Sequence, residues 1–218
     1  MTPHIFHPAR AFSWQNVDSL RAYAVIQGVI GGLAGAIHGL YELQRGNTPT
    51  GGHLLSAVGA FTLIPNYLFT GAAAICAGLA LIVWTVAFLH RRRGPAVFLL
   101  LAVLLFLVGG GVAQVPFFLI AFGVAAQINR PLTWWQRTLP TGLRQRLARL
   151  WPALFAAGYA FFLAGFGIWL FLLPPGTLYT GRPIEYICWS ALAIGFALQM
   201  CAILAGFARE VQRRAQTL

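Results

Sequence analysis

The 218-residue sequence is strongly apolar: 59% of its residues are hydrophobic, only 9% are charged, and the mean hydropathy is +0.74. Charge this sparse cannot cover a water-soluble globule, and long uncharged runs are instead typical of a membrane domain. The formal net charge of +11 does not indicate nucleic-acid binding, because the arginines lie in the gaps between the apolar runs and not in one patch. We therefore predict an all-α integral membrane protein with a single membrane domain over residues 1–218.

The first apolar run, residues 21–43, is long enough to cross a bilayer, because about 20 helical residues at 1.5 Å each span a hydrocarbon core of roughly 30 Å. Glycines recur along it at the spacing that lets another helix approach closely: Gly28, Gly31, Gly32, Gly35 and Gly39. Gln27, His38 and Glu42 follow the same side of the helix. We expect this polar stripe to face the interior of a bundle, since ionisable groups at membrane depth mark functional or paired positions.

The apolar run over residues 54–64 is too short to cross a bilayer, and it is followed by Pro65, which ends or kinks a helix. We expect a short re-entrant or interfacial segment here. It would lie over the end of the first helix and close the region of His38 and Glu42 on one side. Asn66 is a suitable N-cap for the helix that follows.

Residues 94–129 are too many for one spanning helix and only just enough for two. We divide them at the glycine triplet 109–111, with Pro116 just beyond, because glycine and proline are poor in a helix interior. A single helix with a re-entrant tail is the alternative. The division gives about six transmembrane helices in one bundle, with spans near 21–43, 66–90, 95–111, 114–129, 151–173 and 186–208.

Six spans also agree with the distribution of arginine. Thirteen of the fifteen arginines then face one side of the membrane, and only Arg45 and Arg182 face the other. Cytoplasmic loops carry the excess of basic residues in membrane proteins. We therefore expect both termini to be cytoplasmic, and we expect the membrane to be the inner membrane of a bacterium.

The connector between the fourth and fifth spans contains a basic amphipathic segment, residues 141–150. Its leucines recur at helical spacing while its arginines occupy the rest of the helix surface. This pattern is typical of a helix that lies in the interface of an anionic leaflet. The alternative is a helix on which a partner subunit docks.

His38 and Glu42 are the best candidates for catalytic chemistry, because the spacing H-x-x-x-E places an imidazole and a carboxylate on adjacent turns of one helix face. Such a pair can act as general acid and base. The structural alternative is that His38 hydrogen-bonds within a helix interface while Glu42 pairs with Arg45. Over these five residues the pair resembles the histidine and glutamate helix of the EXPERA-type sterol isomerases. No matching acidic residue follows downstream, so the resemblance implies no activity here.

We predict no metal site and no cofactor. A zinc site needs at least three ligands, and His38 and Glu42 would require His53 or another group to complete the set. A haem held by two histidines needs both at matched depth on facing helices. Only His38 lies in the interior of a predicted span, because His90 lies at the end of its span, at the opposite membrane face.

Three functions remain open from the sequence. In the first, a lipid-like small molecule binds at the non-cytoplasmic end of the first helix, in a site lined by Gln27, His38, Tyr41, Glu42, Asn47, His53 and Asn66. In the second, the protein is a non-catalytic accessory or scaffolding subunit of a larger membrane complex. In the third, it is a small acid/base enzyme that acts on a lipid or an isoprenoid. The expected partners are membrane lipids, and other membrane subunits or a second copy through the glycine-rich face, but not nucleic acid.

Overall fold

The computed structural model describes residues 17–55, 59–173 and 181–216. This part of the chain is mostly helical, and four of its helices are long and apolar enough to cross a membrane: α1 (Ser19–Leu43), α2 (Tyr67–Phe88), α6 (Thr141–Leu172) and α7 (Pro183–Ala215). Three shorter helices lie between α2 and α6: α3 (Gly94–Leu107), α4 (Val115–Ala125) and α5 (Thr133–Thr138). The prediction of a helical protein with membrane-length apolar helices is confirmed.

A small three-stranded sheet lies among the helices. This sheet was not predicted from the sequence. Its strands are β1 (Leu54–Leu55), β2 (Ala60–Thr62) and β3 (Val108–Gly111), with β2 in the middle and both pairs antiparallel. The expected interfacial segment 54–64 thus forms the first two strands. The glycine triplet, expected as a loop between two helices, forms the third. We call the end of the bundle that carries this sheet the sheet end, and the opposite end, with Asp18, Arg91 and Arg130, the arginine end.

Threonine hydroxyls fasten the sheet to α2. The Oγ1 atoms of Thr62 and Thr70 lie 2.6 Å apart, and Thr70 donates to the backbone carbonyl of Val108 at 2.7 Å. Both threonines are fully buried. Backbone outside a helix needs hydrogen bonds from other protein groups wherever water is absent, and here the strand pairing and the two hydroxyls provide them.

Helix α1 is the centre of the packing, and its glycine-rich face is covered by helices of the same chain. Gly39 packs against Gly71 of α2, where an added methyl group would come 2.6 Å from the Gly71 carbonyl oxygen. Gly32 and Gly78 form an equivalent pair about two turns away. The remaining glycines of this face lie against side chains of α2, α3 and α4, namely Thr85, Leu105 and Phe118. Helices of the same chain therefore already cover the face that we expected to contact a partner subunit.

The predicted interfacial helix over residues 141–150 is not a separate element. These residues are the first turns of α6, which runs for 32 residues and contains Pro152 in its interior. A proline removes one helical hydrogen bond, but Trp151 beside it is buried against Gly206 of α7 and lies under the guanidinium of Arg209. This packing holds the helix continuous through the proline.

Charged groups join α1, α4 and α7 at the arginine end. Glu210 is fully buried and accepts hydrogen bonds from both Arg213 and Arg214. Arg214 also donates to the backbone carbonyls of Ile128 and Arg130, both at 2.7 Å. Arg213 lies 3.6 Å from the carboxylate of Asp18, the N-cap of α1.

Candidate functional site

Glu42 lies in the last turn of α1, with its side chain directed beneath β3. The residue is 0% exposed, and neither carboxylate oxygen has a hydrogen-bond partner among the described residues. Arg45 does not pair with it. The Arg45 guanidinium instead lies 4.9 Å from the centre of the Tyr67 ring and donates to the Tyr67 hydroxyl at 3.4 Å. The structural alternative of a Glu42 and Arg45 ion pair is therefore wrong.

Gly109 makes the position of this carboxylate possible. A methyl group on Gly109 would come 2.5 Å and 2.7 Å from the two carboxylate oxygens. The backbone φ of Gly109 is +113°, a conformation that other residues rarely adopt. Thr70 also lies close to the carboxylate, but its hydroxyl donates its hydrogen bond to the Val108 carbonyl instead. Glycine at this position thus lets the strand close over a carboxylate that the protein leaves without a donor.

His38 lies one turn before Glu42 and meets a residue that the sequence analysis did not select. A methyl group on Gly111 would come 2.6 Å from Nε2 of His38 and 3.0 Å from Nε2 of Gln114, so the imidazole and the amide are neighbours. Nδ1 of His38 and both polar atoms of the Gln114 amide are buried without a partner in the part of the chain that the structure describes. We call Glu42, His38 and Gln114 the Glu42 cluster.

Five buried polar atoms without partners in one place are unusual for a folded protein. Burying one polar group without a hydrogen bond costs about 1–3 kcal/mol, and a charged one costs more. Each such group requires an explanation, and a role in binding a ligand or in a reaction is one. The cluster combines a carboxylate, which accepts hydrogen bonds or a proton, an imidazole, which donates or accepts, and an amide, which does both.

The other predicted ligand-binding residues do not join the cluster. Asn47 accepts a hydrogen bond from Asn66 at 2.7 Å, and Asn66 caps α2 by accepting from the amides of Leu68 and Phe69. These two asparagines therefore hold the connector to the start of α2. The predicted capping role of Asn66 is confirmed.

His53 and Tyr41 lie on the surface of the sheet end. His53 is exposed, and its Nδ1 lies 3.0 Å from the Thr62 carbonyl oxygen. Tyr41 is 44% exposed and stands on α1 beside Glu42. Tyr41 thus borders the Glu42 cluster, whereas His53 belongs to the sheet.

Gln27 belongs to a second polar group, nearer the arginine end, where α1 meets α6 and α7. It accepts a hydrogen bond from the Tyr159 hydroxyl at 3.1 Å, and the Tyr159 and Tyr23 rings are 6.4 Å apart. Gln199 of α7 lies alongside Gly158, the neighbour of Tyr159, and is 1% exposed with no partner for its amide among the described residues. Gln27 lies eleven residues before His38, about 16 Å along the helix axis, so it is not part of the Glu42 cluster.

Metal-ligating side chains do not assemble here. Within the described ranges, no three residues of histidine, cysteine, aspartate or glutamate lie together. Of the possible third ligands, His53 is on the sheet surface and bonds to Thr62.

Comparison with known proteins gives no family for this chain. No protein-family model matches the sequence, and neither the curated proteins nor the solved structures yield a match. Function therefore has to be argued from the chemistry of the Glu42 cluster.

Gln114, Gly109 and Gly111 carry the geometry of this cluster. The two glycines were expected only as helix breakers, and Gln114 was not selected from the sequence. A polar residue that closely follows three glycines inside an apolar run was the available signal. To predict that Gln114 lies next to His38, one must know that the glycine triplet pairs with β2. Residue spacing along α1 does not reveal this pairing.

Proposed function

We propose that the protein binds a lipid-like molecule at the sheet end of α1, with the Glu42 cluster holding a hydrogen-bond donor of its polar part. The observation that carries this proposal is the buried Glu42 carboxylate, which has no partner in the described structure although Arg45 is three residues away. A hydroxyl or amine group supplies the donor that the carboxylate lacks. The amide of Gln114 and the imidazole of His38 are placed to orient such a group.

Apolar surroundings favour a ligand that arrives from the bilayer. Ile37, Leu40 and Tyr41 are exposed on α1, on the turns that carry His38 and Glu42. Exposed apolar side chains on a helix of membrane length are contact sites for acyl chains or similar molecules. A molecule with an apolar body and a hydroxyl or amine group suits this region, because the body can contact the exposed apolar side chains while the polar group reaches the Glu42 cluster.

The proposal includes six membrane crossings. α3 has 14 residues, about 21 Å of helix, and the four residues of β3 add about 13 Å of strand. Together they reach roughly the thickness of the hydrocarbon core. α3 with β3 would then form one arm of a hairpin and α4 the other, with the short helical turn Val112–Gln114 at its crest.

The arginine end would face the cytoplasm in this topology, as the positive-inside rule predicts. Both termini would lie there, and the Glu42 cluster would face the other side. We propose the inner membrane of a bacterium as the location. An accessory role in a larger complex would need a surface other than the glycine-rich face of α1.

Acid/base catalysis on the bound molecule is the second candidate function. It is favoured by one observation, the placement of an imidazole and a carboxylate one turn apart under the same strand. Either group can take or give a proton to a ligand held between them.

The experiment compares wild type with His38→Ala, Glu42→Gln and Gln114→Ala, and uses His53→Ala as the matched histidine control on the sheet surface. Each protein is extracted in mild detergent, and its retained small molecules are identified by mass spectrometry. We expect one apolar molecule with a hydroxyl or amine group to be retained by wild type and by His53→Ala, and to be lost from the three cluster variants, each of which should still elute as a folded, monodisperse protein. Retention of the same molecules by every variant would refute the site.

A further inference from the structure

A groove of about 390 Å³ lies at the arginine end, between the first turns of α6 and the last turns of α7. It is far from the Glu42 cluster, at the other end of the bundle. Its walls are polar or small: Arg144, Gln145, Arg149, Gln212, Ala215 and Gln216. A volume of this size is within the range of small-molecule sites in proteins.

The groove is positive and its charge is not neutralised by the protein. Neither Arg144 nor Arg149 forms an ion pair with any described residue. The nearest carboxylate on α7, that of Glu210, is used by Arg213 and Arg214. Two guanidinium groups therefore line one groove, and none of the described residues in its walls is acidic.

Arg144 is partly buried, unlike an ordinary surface arginine. Its Nε atom is buried and has no hydrogen-bond partner among the described groups. Guanidinium N–H groups form a planar fork that matches the oxygens of a phosphate, and such charge-assisted bonds are stronger than neutral ones. The side-chain amides of Gln145, Gln212 and Gln216 add donors around the same space.

We propose that this groove binds the phosphate group of an anionic membrane lipid. The chemistry recognised is a phosphate ester, and two features favour a lipid over a soluble phosphate. Leu143 and Leu150 are exposed on α6, one to either side of the arginine pair along the helix, and they offer apolar contact to acyl chains. In the proposed topology this end faces the leaflet that is rich in anionic lipid.

The test measures thermal unfolding of the full chain in an uncharged detergent. Phosphatidylglycerol, phosphatidylcholine, glycerol 3-phosphate or inorganic phosphate is added in separate arms. A ligand that binds only the folded state raises the unfolding temperature. The groove variant is Arg144→Gln with Arg149→Gln. The control is Arg92→Gln with Arg93→Gln, which removes the same charge between α2 and α3 at the same end of the bundle.

We expect phosphatidylglycerol to raise the unfolding temperature of wild type and of the control equally, and to raise that of the groove variant by less than half as much. In wild type, phosphatidylcholine and the two soluble phosphates should each raise the unfolding temperature by less than half as much as phosphatidylglycerol does. Arg149→Gln alone, at an exposed position, serves if the double variant fails to fold, and it should also reduce the shift. Equal shifts in all variants, or an equal shift with phosphatidylcholine, would overturn the proposal.

Two further outcomes are decisive. A full shift with inorganic phosphate or glycerol 3-phosphate would show that the groove takes a soluble phosphate and would refute the lipid. The groove substitutions should remove the same share of the phosphatidylglycerol shift in a Glu42→Gln background as in wild type, because Glu42 lies at the opposite end. Loss of the shift in Glu42→Gln with retention in the groove variant would place the lipid at the sheet end and reject the groove.

Discussion

Gly109 lies directly against the carboxylate of Glu42, so closely that a methyl group on its Cα would be 2.5 Å from one carboxylate oxygen. One residue lies in a short strand and the other at the end of a helix 67 positions earlier. The contact sets how closely the backbone of β3 approaches the end of α1. It also covers the carboxylate on the side of the sheet.

Gly109→Ala should destabilise the protein by about 1–3 kcal/mol through overpacking, in addition to the backbone strain at its positive φ. The control is Gly59→Ala, since Gly59 also has positive φ but has open space where the methyl group would stand. Thermal unfolding in detergent measures the stability that each of the two variants loses. A loss in Gly109→Ala that is no larger than in Gly59→Ala would show that the strand does not press on Glu42. Adding Glu42→Ala to Gly109→Ala should recover part of the loss.

Gly39→Ala should separate α1 from α2, because its methyl group would come 2.6 Å from the Gly71 carbonyl oxygen. Backbone atoms cannot move aside as a side chain can, and we expect a cost of about 1–3 kcal/mol. Gly123→Ala in α4 is the matched control, with nothing within 4 Å of the added group. It should be neutral or stabilising by up to about 1 kcal/mol, as alanine is the better helix residue. Equal unfolding temperatures for the two variants would contradict the close helix packing.

Arg214→Gln should weaken the arginine end more than Arg213→Gln does. Both arginines bond Glu210, but only Arg214 also donates to the carbonyls of Ile128 and Arg130. A charged hydrogen bond contributes about 1.5–3 kcal/mol, and we expect the lower part of this range because both side chains are partly exposed. Limited proteolysis of the connector after α4, measured together with unfolding, should show faster cleavage only in Arg214→Gln. Equal cleavage in both variants would mean that the carbonyl contacts do not hold the connector.

Asp18 gives a pH prediction outside the membrane-spanning helices. Burial raises the pKa of its carboxyl above the ordinary value of 3.8, and the negative charge of Glu210 acts in the same direction, against the Arg21 amide and the nearby arginines. The folded protein therefore holds this proton more tightly than the unfolded chain does. The stability linked to it is complete below the ordinary value and is lost as the pH rises through the folded pKa.

Asp18→Asn should abolish this pH dependence and keep the helix cap, since asparagine caps as well as aspartate does. The difference in unfolding free energy between wild type and Asp18→Asn should move in favour of wild type as the pH falls from neutrality toward 3.8. Asp18→Ala should be less stable than Asp18→Asn by about 1 kcal/mol at every pH, because the cap is gone and neither side chain titrates. A difference that moves the opposite way on acidification would show that the ion pair with Arg213 outweighs burial.

The helical class and the long helices could be predicted from the sequence, because uncharged runs of membrane length and caps are local signals. The predicted span 66–90 compares with α2 at Tyr67–Phe88, and Asn66 caps it as expected. The sheet could not be predicted in this way. Its strands are two to four residues long, and β3 pairs with a strand more than forty positions away, so no short-range periodicity marks it.

The Glu42 cluster could be predicted only in part. His38 and Glu42 share one helix face, which residue spacing reveals. Gln114 reaches them from a different element through the pairing of β3. Asn47 and Asn66 were selected because they are polar and near in sequence, and the structure shows that they bond each other and the start of α2. Polarity alone does not separate a cap from a ligand-binding group.

The most direct test of the Glu42 cluster is an experimental structure of the protein in nanodiscs formed from its own membrane lipids, at a resolution that shows bound small molecules. We predict density for a polar group within hydrogen-bonding distance of the Glu42 carboxylate, next to His38 and Gln114, with Arg45 turned onto Tyr67. A Glu42 carboxylate that is paired with Arg45, with no bound group beside His38, would contradict the proposed site.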